Sequence, residues 1–134
     1  MYKLLGNSVI DTDELKDSIE KNTKLTVRED LSSATKREDA VGFRLEIDIR
    51  NLGYDKNMKF EDEIIIDELM KKSDEYAKSQ LKSVIDGFAD YLDFEVYSYS
   101  FDEVSSSSIV VLAIMNRDNA YRKLRDVIKR LLTV

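Results

Sequence analysis

Phe43-Arg44-Leu45-Glu46-Ile47-Asp48-Ile49-Arg50 alternates apolar and charged residues without a break over residues 43–50. Successive side chains of an extended chain point to opposite faces, so this stretch predicts a strand with one face toward a core and one toward water. Its two flanks then decide the architecture. On the C-terminal side, Asn51-Leu52-Gly53-Tyr54-Asp55 reads as a turn. Met58, Phe60, Asp62, Ile64 and Ile66 alternate almost as well, which predicts a second antiparallel strand, the alternative being a long helix that begins near Asp62.

From Asp67 onward, Leu69, Met70, Ala77, Leu81, Val84, Ile85, Phe88, Tyr91 and Leu92 recur at the spacing of an amphipathic helix of about six or seven turns. Gly87 inside it suggests a close neighbour, since a mid-helix glycine costs about 1 kcal/mol relative to alanine. Phe94 to Phe101 and Ser108 to Met115 predict a hairpin closed by the serine run 105–108. Its second strand is apolar on both faces, as a central strand is. Asn116 is placed to cap a last helix in which Ala120, Tyr121, Leu124, Val127, Ile128, Leu131 and Leu132 share one arc.

Toward the N-terminus, residues 29–39 (EDLSSATKRED) lack an apolar period and predict a mobile loop, and Lys24 to Arg28 alternates like a strand. Asp11 and Glu14 resemble a capping box that opens a short helix through Leu15 and Ile19, preceded by a weak strand signal from Tyr2 to Ile10. The sum is a single α+β domain over residues 1–134. It is a two-layer arrangement, a mostly antiparallel sheet of about four to five strands packed by one long central helix and one C-terminal amphipathic helix, both on one face.

The chain has 134 residues, a net charge of −6, and neither histidine nor cysteine. That absence removes zinc and iron-sulfur ligation, disulfides and every nucleophile activated by histidine from the chemistry open to the chain alone. No phosphate-binding glycine loop and no nucleophile-elbow motif occurs. The longest apolar run, Ile109 to Met115, is too short to span a bilayer, and the first residues lack the apolar region of a signal peptide. A cytoplasmic protein with no membrane partner and no cofactor is expected. Residues 117–134 carry six cations against two acids, +4, so residues 1–116 carry −10. An acidic body favours basic protein partners, while a basic terminal helix does the reverse locally.

Three groups of residues are candidates for function. Tyr97, Tyr99 and Phe101 fall on one face of their strand with Tyr91 nearby, and an aromatic row on an open sheet face is an interaction surface. Arg122, Arg125, Lys129 and Arg130 give the last helix a basic side suited to phosphates or an acidic partner, although cations near a helix C-terminus are also favoured by its dipole. Glu46 and Asp48, with Glu61, Asp62 and Glu63 on the neighbouring strand, form an acidic group that a divalent ion would suit; the alternating signs of residues 44–50 read more simply as a solvated face with cross-strand ion pairs.

The reading that follows is a non-enzymatic protein-interaction module. It would be a small acidic adaptor, inhibitor or assembly subunit that binds another protein or itself, as a homo-oligomer, through the aromatic face. A nucleic-acid-associated protein using the C-terminal helix is the alternative, and a carboxylate-metal hydrolase the second. Abundant Lys, Asn, Ile, Asp and Tyr without proline is a composition that AT-rich genomes encode, which fits a phage or bacterial accessory protein.

Overall fold

A computed structural model describes residues 1–121 and 123–134. In chain order its elements are β1 (Tyr2–Leu5), β2 (Ser8–Asp11), α1 (Thr12–Asn22), β3 (Thr26–Asp30), β4 (Ala40–Asp48), α2 (Glu63–Phe88), β5 (Leu92–Asp102), β6 (Ser107–Asn116), α3 (Arg117–Ala120) and α4 (Lys123–Leu131), with 3-10 turns at Ser32–Thr35 and Ile49–Leu52. The fold is α+β. One sheet has the order β3-β4-β6-β5 with every pair antiparallel, and β1 and β2 form a separate two-stranded hairpin.

The alternating stretch becomes β4 and the start of the turn after it. Phe43, Leu45 and Ile47 are fully buried on one face, each removing an apolar side chain from water at roughly 1.5–3 kcal/mol. They meet Val110, Leu112 and Ile114 of β6, Leu15 and Ile19 of α1, and Ala77, Leu81 and Ile85 of α2 in the main core. The opposite side chains of β6, Val111, Ala113 and Met115, are buried as well, in a second core under Ala120, Leu124, Val127, Ile128 and Leu131. The last helix therefore lies on the back of the sheet. The expectation that both helices share one face fails because β6 is apolar on both sides, so its back needs a cover of its own. Gly42 lets that cover approach closely, since a Cβ there would lie 2.8 Å from Leu131 Cδ1.

Other expectations are corrected in detail. Residues 58–62 form no strand: Asp62 caps α2 by accepting the Ile64 N–H at 2.8 Å, and the helix begins at Glu63. The alternation there has a different cause. Phe60 folds inward onto Phe101, with ring centroids 4.6 Å apart, in a third cluster with Ile49 and Leu69. The segment expected to be a mobile loop is tied down by its hydroxyls. Ser32 accepts the Gly42 N–H, and buried Thr35 donates to the Ser32 carbonyl at 2.7 Å. Of the serine run, only Ser105 and Ser106 lie in the turn; Ser108 is buried in β6 and bonded to Ser73 of α2 at 2.7 Å. Nothing approaches Gly87. Tyr121 is exposed rather than part of the apolar arc, because α3 ends at Ala120 and Tyr121 has left helical geometry.

Candidate interaction surface

β5 is an edge strand, and its pairing with β6 slips by one residue between Ser98 and Ser100. A bulge of this kind turns the side chains beyond it relative to those before it. Tyr97, opposite Val111, stays on the back of the sheet, and the bulged Tyr99 lies there too, its hydroxyl accepting Arg44 Nε at 2.9 Å. Phe101, opposite Ser108, is swung to the front and packs into the third cluster. The predicted row of three aromatics is thus a pair. Tyr91 stands apart, packed at the border of the main core, where its carbonyl accepts the Arg117 N–H.

What the edge gains instead is a cleft of about 660 Å³ between the first turns of α2 and residues 97–99 of β5. Ile64, Ile66 and Met70 line one wall, Tyr97 and Tyr99 the other. Ile64 is 77% exposed, Tyr97 49% and Tyr99 37%, so large apolar side chains from both elements stand open to water at this edge. The rim carries Asp67, Glu68 and Asp74 against Lys71. Asp74 also closes the strand edge beneath the cleft by accepting the Ser98 N–H at 2.7 Å. Its side chains offer apolar contact, ring faces, hydroxyls and carboxylates, a set suited to holding a partner segment. The α2 half follows from the alternative reading, a long helix that begins near Asp62; residues 58–66 read as a strand hide the first turn, which presents Ile64.

The acidic group comes apart. Glu46 is ion-paired with Arg28 at 3.1 Å, and Asp48 is held by Arg50 and caps the 3-10 turn at Ile49–Leu52. Donation from Arg50 holds the Asp48 carboxyl below the usual carboxylate range. With residues 58–62 outside any strand, Glu61, Asp62 and Glu63 are not beside them, and among the described residues no group of three acids is set to hold a metal ion.

The basic side of the last helix is partly committed to structure. Arg130 Nη1 donates to the Thr35 carbonyl at 3.0 Å, clamping α4 to the turn at Ser32–Thr35. Arg125 and Lys129 face outward, and Arg122 lies outside the described residues. No helix among the described residues is long and apolar enough to cross a membrane. Comparison with protein-family models, curated proteins and solved structures gives no match.

Proposed function

We propose that the chain is a non-enzymatic interaction module whose cleft between α2 and the 97–99 edge of β5 takes a partner segment of apolar residues flanked by lysine or arginine. The observation that carries this reading is the cleft at the β5 edge lined by Ile64, Ile66 and Met70 of α2 and by Tyr97 and Tyr99, of which Ile64, Tyr97 and Tyr99 are exposed, beneath a rim of three acids and one lysine. Apolar burial would supply affinity, and the acidic rim would select against acidic partners. The acidic body as a whole, −10 over residues 1–116 with the rim included, supports the same choice. Recognition would run through side chains, because the Asp74 carboxylate occupies the strand edge that a β-addition partner needs.

A displayed library of random peptides, selected on the pure protein, tests this. Enriched peptides should combine two or more large apolar residues with Lys or Arg, and Ile64→Ala with Tyr97→Ala should abolish their binding. Val104→Ala, at a fully exposed site outside the cleft, should leave it unchanged. Selection of acidic peptides, or of peptides that bind the double variant equally well, overturns the reading.

A further inference from the structure

The strand edges of this protein are not treated alike. On β5, Phe94 N–H donates to the Asp93 carboxylate at 2.8 Å and Ser98 N–H to Asp74. On β3, at the other side of the sheet, Val27 N–H donates to the Glu20 carboxylate at 3.2 Å. An incoming strand would have to displace these acids and bring its carbonyls against them, which is how edges are kept from pairing.

The hairpin β1-β2 follows another rule. In a two-residue hairpin the residues flanking the turn, here Leu5 and Ser8, bond to each other, and the alternation turns the backbone groups of Leu4 and Val9 outward. The Leu4 N–H duly leaves the ladder and reaches the Glu38 carbonyl at 2.9 Å, so the outer edge of β1 is occupied. For Val9, on the outer edge of β2, no side chain takes that place among the described residues. The same residue carries an exposed apolar side chain: Val9 is 66% exposed, its cross-strand neighbour Leu4 49%, and Tyr2 on that face 70%. This end of the molecule is remote from the cleft, since β1 is bonded to the segment entering β4 at Ala40, whereas α2 begins at the Asp48 end.

We propose that β2 is a pairing edge for a second copy of this chain, joined antiparallel about a two-fold axis through Val9. In that register Val9 exchanges both backbone hydrogen bonds with Val9 of the second copy. Leu4, Val9 and their two equivalents then form one apolar row across four strands, the arrangement that stabilises a sheet. Ser8 meets Ile10, and Asp11 meets Asn7, so no like charges stand directly opposite each other. Pairing at the β2 edge joins backbones and brings the two Val9 side chains together but leaves the face of Tyr2 and Leu4 open, so it buries far less than the roughly 800 Å² per partner of a standard stable interface. The pair is therefore weak and reversible, and strengthened by salt because each copy carries −6.

Sedimentation equilibrium from about 10 µM to about 2 mM reads this directly, with dimer expected in the upper part of that range. Val9→Pro removes the outward N–H while leaving the bonds within the hairpin, and should weaken association roughly tenfold or more. Val9→Lys and Val9→Glu should each be monomeric alone, and their equimolar mixture should restore the dimer by placing opposite charges across the axis. Tyr97→Ala should leave association unchanged, which separates this edge from the cleft. A wild-type protein still monomeric at 2 mM, a dimer indifferent to Val9→Pro, or folded Lys and Glu variants that fail to pair when mixed overturns the proposal.

Discussion

Replacing Gly42 with alanine tests the position of the last helix more sharply than any change in α4 itself. A Cβ at residue 42 would lie 2.8 Å from Leu131 Cδ1, 3.1 Å from Leu131 Cδ2 and 3.3 Å from Thr35 Cγ2. Leu131 is fully buried and Thr35 is bonded in place, so neither can swing into solvent. Overpacking of this kind costs about 1–3 kcal/mol, and the reduced entropy of the unfolded chain returns about 0.4–1 kcal/mol. The net expectation is a loss of about 0.5–2 kcal/mol, which for a domain of this size lowers Tm by several degrees at roughly 3–5 °C per kcal/mol. Thermal unfolding followed by circular dichroism measures it. A double-mutant cycle with Leu131→Val gives the cause, because shortening Leu131 makes room and the two losses should fall short of additivity. An uncovered strand position would behave in the opposite way, since alanine for glycine in an open strand stabilises. A raised Tm for Gly42→Ala, with no coupling to Leu131, would refute the placement of α4 over the back of the sheet.

Two further outcomes follow from the same contacts. The carboxyls of Asp39, Asp48 and Asp102 are held below their ordinary range by donation from Arg37, Arg50 and Arg28 respectively; the stability they contribute is present above the unfolded carboxylate pKa of about 3.9 and is lost as pH falls through the depressed folded values. With no histidine to titrate, Tm should be flat from about pH 5.5 to 8 and decline only below about pH 4, and a change of several degrees between pH 6 and 8 would contradict this. Asp74→Ala should cost about 1–2 kcal/mol in urea unfolding by leaving the Ser98 N–H without its acceptor, and should raise light scattering at high concentration as the β5 edge opens. Asp74→Asn keeps an acceptor oxygen and should lose less; equal behaviour of the two variants would show that the bond does not guard the edge.

Which features were legible in the sequence follows from what holds each element. β4, β6 and α2 from Leu69 onward are written as apolar periods because each buries a whole face, and a shift of one residue would expose it. Phe60 misleads for the same reason in reverse: its burial on Phe101 is a single inward contact from a loop, and in sequence it looks like one beat of a strand. The aromatic row fails at one position. Tyr97-Ser98-Tyr99-Ser100-Phe101 has perfect alternation, yet the bulge beside Ser98 separates Phe101 from the tyrosines, and its anchor is Asp74, distant in sequence. No local pattern encodes that bond. The edge guards Glu20, Asp74 and Asp93 were equally hidden, since a carboxylate facing water and one bonded to a strand look alike in a one-dimensional reading.

The half of the sheet back that α4 leaves uncovered explains why so much charge stands on apolar strands. Ile109 points to that side and is nevertheless only 3% exposed. Its neighbours there are Arg28, Arg44 and Tyr99, held over it by ion pairs of Arg28 with Glu46 and Asp102, by the pairing of Arg44 with Glu29, and by the bond from Arg44 to the Tyr99 hydroxyl. Long side chains of this type cover apolar surface with their stems while their charged ends stay in water. The alternating signs of residues 44–50 are therefore a cover for the sheet as well as a solvated face, and they leave no carboxylate there with only water for company. Among the described residues of the strands themselves, the exposed large apolar side chains gather at two places where no such cover is built, Tyr97 and Tyr99 beside the cleft and Tyr2, Leu4 and Val9 on the β1-β2 hairpin. A protein that shields Ile109 with three ion pairs and a hydrogen bond has the means to shield those two places as well, and their exposure is the physical reason for proposing recognition there.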